Sequence, residues 1–217
     1  MPLSPPRRYV TLASPAYAEI EVKRSRFVCG VAPVPSEEDA RAFVETVRSA
    51  TRDARHHCTA FVLGPDGSTQ RSSDDGEPSG TAGAPMLDVL RGRGLTDVVA
   101  VVTRWFGGTL LGTGGLIRAY GDAVSAALDA ATPVTFALRD GLVVTVGSAD
   151  GPRVENALRG HPGCAVTSTT WGATGLVLEL AVEPGTGESV RGLVGALTAG
   201  EGEVIGGHGS WVAVPQA

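Results

Sequence analysis

The run Val98-Val99-Ala100-Val101-Val102 constrains this chain most. It has no polar alternation and is dominated by β-branched side chains, so it reads as a central strand buried on both faces. A strand like that needs cover on each side. The rest of the chain must therefore supply a sheet around it and amphipathic helices to close it.

Helical cover is visible on both sides of the run. Ser36 is a capping residue, Asp39 follows three positions later, and Glu37, Glu38 and Asp39 suit the positive end of a helix dipole. Ala40, Phe43, Val44, Val47 and Ala50 then fall on one helical face. Pro85 and Gly92 bracket a short helix. After the central strand, Leu116, Tyr120, Ala123, Val124, Ala127 and Leu128 make the apolar face of a long helix. Further strands are expected at 18–22, 26–34 and 58–63, with a turn at Gly64-Pro65-Asp66-Gly67 and a return strand at 68–71.

The texture changes after Pro133. A strand at 139–147, a helix at 150–159, strands at 164–171 and 176–182, a helix at 188–199, and short strands at 203–205 and 211–214 follow. This is the order β-α-β-β-α-β, the ferredoxin-like order. The expectation is two domains, 1–136 and 137–217.

Charge and cysteine narrow the class. The net charge is −5, from 18 basic and 23 acidic residues. Residues 1–136 hold 14 Lys+Arg and 15 Asp+Glu, whereas 137–217 hold 4 and 8, so neither half is a strongly basic nucleic-acid binder. A local basic groove in the first half remains open, and Arg41, Arg48, Arg52 and Arg55 recur along one side of the first helix and its continuation. Lys23 is the only lysine, which reads as codon bias. Cys29, Cys58 and Cys164 are far apart and read as small buried hydrophobes. The first eight residues have no apolar signal core, and no apolar run is long enough to span a membrane. The expectation is a soluble cytoplasmic protein.

Three segments could carry chemistry. The first is the loop Asp74-Asp75-Gly76-Glu77-Pro78-Ser79-Gly80-Thr81-Ala82-Gly83. Its carboxylates could hold a hard cation, or accept bonds from arginines and backbone N–H groups, or simply build a tight turn. The second runs from Arg104 to Arg118. A strand ends in Arg104-Trp105-Phe106-Gly107-Gly108, and a loop with Gly112 leads into a helix whose first turn holds Gly114 and Gly115. A helix start offers unpaired N–H groups to an anion, and Arg104 and Arg118 could add bidentate contacts to phosphate. It is neither a Walker loop nor an in-register dinucleotide fingerprint. These glycines could equally serve close packing, with the arginines bonding the acidic loop internally. The third is His56-His57. Adjacent histidines in a strand face opposite sides and cannot easily share a metal, though His57 could line the site. No serine-hydrolase elbow is present. No cofactor and no metal site are assigned.

The chain resembles the YigZ/IMPACT family along almost its whole length, and four stretches carry the match. They are Arg24-Ser25-Arg26-Phe27; Ala54-x-His56-His57-Cys58-x-Ala60; Ser73 to Gly83; and Val102 to Tyr120. The chain departs from the family at Trp105, where Tyr is common, and at Arg55, where Thr is usual. The resemblance implies an α+β protein. Its first part would be a two-layer α/β domain like the second domain of a small-subunit ribosomal protein, with helices on one face of a mixed sheet. Its second would be a ferredoxin-like domain similar to the last domain of elongation factor G. The resemblance implies eukaryotic relatives that regulate translation by competing for an activator of the amino-acid-starvation kinase; they carry a different accessory domain, so that partner is not carried over to this chain. The expected function is a cytoplasmic binding protein in translation or its regulation, holding RNA, the ribosome or a translation-related protein over 74–83 and 104–118. The alternative is an enzyme acting on a phosphate-bearing small ligand, and a third reading makes the loop acids and arginines a structural staple.

Overall fold

The protein is described by a computed structural model covering residues 6–214, so Met1 to Pro5 of the N-terminal stretch weighed above lie outside the described residues. The chain divides into two compact units. The first is built from residues up to Phe136 together with Val214, and the second is Ala137–Ala213. Both are mixed α and β, with two sheets and five helices among the described residues.

In the first unit, β1 (Arg8–Leu12) precedes the hairpin of β2 (Ala16–Val22) and β3 (Ser25–Pro33). Helix α1 (Glu37–Ala50) starts at Ser36, whose hydroxyl accepts the Asp39 N–H, the capping read from the sequence. Then come β4 (His56–Leu63), β5 (Thr69–Ser73), α2 (Gly83–Gly92), β6 (Val98–Trp105) and α3 (Thr113–Asp129). The sheet order is β2-β3-β6-β4-β5, and every pairing in it is antiparallel.

Strand parity sorts the core into two layers. Phe27, Cys29 and Val31 of β3, Val98, Ala100 and Val102 of β6, and Cys58, Ala60 and Val62 of β4 share one face, covered by Met86 and Leu90 of α2 and the buried stripe of α3. Val99 and Val101 of β6 and Phe61 and Leu63 of β4 share the other face, covered by Ala40, Phe43, Val44 and Val47 of α1. Two expectations are therefore corrected. The unit has three layers with helices on both faces, and its sheet is antiparallel rather than mixed. The valine run dictates the first point: a strand apolar at every position has no face to give to water. The second follows from β6 pairing with β3 and β4, both of which run against it.

The second unit contains the continuation of β7 (Pro133–Gly147), then α4 (Gly151–Arg159), β8 (Cys164–Trp171), β9 (Gly175–Val182), α5 (Gly187–Leu197) and β10 (Glu203–Val214). In its sheet β9 lies between β7 and β8, and β10 pairs β7 on the other side. Leu142, Val144, Leu178 and Leu180 face Val154, Leu158, Val190 and Val194 of the two helices. Two strand assignments change. β7 starts at Pro133 rather than 139, and the two short strands at 203–205 and 211–214 are one strand, because pairing to β7 carries the chain through Gly206, Gly207 and Gly209. No helix among the described residues is long and apolar enough to cross a membrane.

Candidate functional site

The loop between β5 and α2 is held by its own acids. Asp74 Oδ2 accepts the Gly80 N–H at 2.8 Å, and Oδ1 accepts the N–H groups of Ala82 and Gly83 at 3.0 and 2.8 Å. One carboxylate thus ties the loop and receives the opening amides of α2, which no other side chain caps. Burial works to raise the Asp74 carboxyl, but the bonds from Gly80, Gly83 and Ala82 outweigh it and hold it below the usual carboxylate range. Asp75 turns elsewhere, taking the His57 N–H at 2.6 Å and the Arg48 guanidinium at 3.1 Å. Thr81 is buried and its hydroxyl donates to the Pro78 carbonyl. Gly76, Ser79 and Gly80 are left exposed.

Glu77 points inward. Its Oε1 accepts from Arg104 Nη1 at 2.6 Å and from the Tyr120 hydroxyl at 2.7 Å. Arg104 is only 6% exposed, and its Nε is buried with no partner among the described residues. The Tyr120 ring stands edge-on to Phe27, with centroids 5.3 Å apart. Cys58 lies alongside, its thiol donating to the Asp74 carbonyl at 3.0 Å, and burial pushes that thiol up to about 12. Arg104, for which the sequence left open phosphate contact or an internal bond to the acidic loop, is placed as the buried partner of Glu77. The arginine that meets Asp75 is Arg48.

The histidines diverge as β4 requires. His56 Nδ1 donates to the Asp75 carbonyl at 2.9 Å. His57 Nε2 lies 2.8 Å from Thr51 Oγ1. The Thr51 hydroxyl donates to the Val47 carbonyl at 2.7 Å, so its oxygen accepts from His57 and the proton sits on Nε2. That is the reverse of a base taking a proton from a hydroxyl nucleophile. His57 Nδ1 stands 4.0 Å from Asp75, beyond hydrogen-bond reach. Asp74, Asp75 and Glu77 each have separate protein partners, and among the described residues no three metal-ligating side chains converge.

The Gly-rich stretch forms the outer part of the site. Gly107 rests on the β2–β3 turn. Its N–H donates to Ser25 Oγ at 3.2 Å, and a Cβ there would fall 2.0 Å from the Arg24 carbonyl carbon. The Trp105 indole N–H donates to Asp53 at 2.8 Å, a bond a tyrosine would have to make through its hydroxyl, and Arg26 stacks on the Trp105 ring at 3.9 Å. Helix α3 starts from Gly112 at φ +73° with no side-chain cap, and Gly112, Thr113 and Gly114 are exposed, while Gly115 is half-buried. Gly108 is exposed too, and Phe106, Leu110 and Ile117 are 50%, 82% and 40% exposed. Arg118 is exposed and makes no hydrogen bond or ion pair among the described residues.

The family model of the Impact N-terminal domain matches residues 23–128, the stretch that contains every element of this site. YigZ of Escherichia coli is 54% identical over 118 residues, covering 54% of this chain and 58% of its own. The chain belongs to the YigZ/IMPACT family. It spans a little over half the length of the first curated relatives it matches. A crystal structure of a hypothetical protein is similar over nearly all of this IMPACT family chain, with 34% identity, 92% of this chain and 97% of the other covered, and a TM-score of 0.67. The structure of Yih1, described as a two-domain translational regulator, is 28% identical over 60% of this chain and 50% of its own, at a TM-score of 0.34.

Sequence reasoning missed four participants. Tyr120 was placed on the apolar face of α3, but a buried phenol needs a partner, and its hydroxyl could have been matched to a loop acid on that ground. Arg48 lay in a run of surface arginines with nothing to single it out. Asp53 gave no local signal, because it acts on a ring distant in sequence, and Ser25 stood inside a family stretch without a role assigned to it.

Proposed function

We propose that this IMPACT family member is a cytoplasmic binding protein of translation or its regulation, docking on a ribosomal surface through the stretch 106–118 of its first unit. The observation that carries the reading is the outward display of that stretch. Phe106, Leu110 and Ile117 stand exposed beside Arg118, which has no acid partner, and beside an uncapped helix start. Scattered apolar exposure is ordinary, but three large side chains within twelve residues, rimmed by a cation and open N–H groups, mark a contact surface. The eukaryotic relatives that the family resemblance implies regulate translation, which fits the same setting. The inner residues Asp74, Asp75, Glu77 and Arg104 then act as the frame that fixes this surface. A small-ligand enzyme would need one of those carboxylates available as base or metal ligand, and each is already engaged.

The test is co-sedimentation of the purified chain with ribosomal subunits at two salt concentrations, beside Arg118→Ala. Binding that falls with salt and weakens in the variant supports the reading. If neither subunit carries the wild-type chain down at low salt, the reading fails.

A further inference from the structure

The turn between β2 and β3 is a second outlier on this face. Val22 and Ser25 form the last cross-strand pair, so Lys23 and Arg24 are the whole loop. Both have positive φ, 48° and 68°. Two-residue hairpin loops with both residues left-handed strongly favour Asn-Gly, because other side chains strain there. Here the two positions are held by the chain's only lysine and an arginine, both exposed. Backbone strain kept at two adjacent cations points to a use for the cations.

The turn is also fixed to the Gly-rich stretch. Arg24 Nη2 donates to Thr109 Oγ1 at 3.0 Å, and Gly107 packs backbone to backbone on Arg24. Arg26 lies opposite Glu21 in the hairpin, yet its guanidinium covers Trp105. Phe106 comes next and is half exposed. Neither Lys23 nor Arg24 has an ion-pair partner among the described residues. Cations on a rigid turn beside an exposed ring fit a single-stranded nucleic acid, with phosphates to the cations and an unstacked base on the aromatic face.

We infer that the β2–β3 turn and Phe106 bind single-stranded RNA, Lys23 and Arg24 taking backbone phosphates and Phe106 stacking a base. The inference rests on the reading above that this face meets the translation machinery, and it names the part of that machinery touched.

The test uses the full chain and a fluorescently labelled 12-nucleotide oligouridylate, with affinity followed by anisotropy across a salt series. The main variant is Lys23→Asn/Arg24→Gly, which gives the turn its preferred residues and removes both charges. Its Tm should match or exceed that of the wild type, so lost binding would not be lost folding. The expected result is weaker binding with a salt slope shallower by about 1.4, two phosphate contacts at roughly 0.7 each. Phe106→Leu should weaken binding roughly 5- to 150-fold, the loss of one stacked base. A double variant with wild-type affinity and slope overturns the inference. So does a wild-type chain that ignores oligouridylate while still pelleting with ribosomes through Arg118, which would leave the functional reading intact and make the contact ribosomal protein. Failure of both assays overturns both.

Discussion

The buried pair Glu77–Arg104 offers the sharpest test of how the loop is held. Both side chains are almost fully buried, at 4% and 8% exposure, and Tyr120 shares the same carboxylate oxygen. Among the described residues, Glu77→Leu removes the only acceptor for Arg104 Nη1 while Arg104 Nε already lacks one. An uncompensated buried charge costs about 3–5 kcal/mol. Arg104→Met leaves Glu77 the Tyr120 hydroxyl as a donor, so this loss falls toward the lower end of that range. The double variant Glu77→Leu/Arg104→Met keeps only one unpaired group, the Tyr120 hydroxyl, at about 1–3 kcal/mol. The double should therefore be about 2 kcal/mol more stable than Glu77→Leu alone. Urea denaturation reads this directly. Trp105 is the only tryptophan in residues 1–136, so its fluorescence in a Trp171→Phe/Trp211→Phe background reports the first unit. Single-variant losses that simply add in the double would refute the argument, as would a Glu77→Leu cost below about 1 kcal/mol, which belongs to a surface pair.

Two further perturbations probe the frame. Gly107→Ala should cost several kcal/mol and lower Tm markedly, because its Cβ would lie 2.0 Å from backbone that cannot rotate away; an unchanged Tm would mean the turn and the Gly-rich stretch are not in contact. Asp74 is held below the ordinary carboxylate range by three N–H bonds, so its contribution is complete above the unfolded value near 3.9 and is lost as pH falls through the lower folded value. Asp74→Asn should therefore be less stable at neutral pH and show a shallower loss toward acid, measured as Tm from pH 7 to pH 2.

The arrangement of helices and strands was largely legible because the signals for it are local. The valine run of β6, the Ser36–Asp39 cap and the α3 stripe are written within a few residues of where they act. The layer count is the exception: the family resemblance implies helices on one face, whereas the valine run demands cover on both. At the site, the fold joins Arg104 of the second segment to Glu77 of the first, a pairing the sequence left open beside phosphate contact. Whether Arg104 meets phosphate or Glu77 depends on which way an odd or even position of β6 faces once β3 and β4 flank it, and no spacing within 104–118 encodes that. The turn at Lys23 shows in the sequence only as the gap between the strands at 18–22 and 26–34, and its left-handed two-residue form does not show at all. Its residues contradict the turn chemistry they adopt, so local preference pointed away from it.

The sheet order carries a consequence for assembly. β2–β3 and β4–β5 are hairpins closed by short loops, and each forms from neighbours in the chain. β6 joins them, arriving some forty residues after β4 begins and pairing with β3 on one side and β4 on the other. Until residues 98–105 have left the ribosome, two half-sheets each present an open inner edge, the state most exposed to wrong pairing. The residues that close the gap end in Arg104 and Trp105, the anchors of the acidic loop and of Arg26. Closure of the sheet and construction of the proposed binding surface are thus one event in synthesis, and a nascent chain stopped before it has neither.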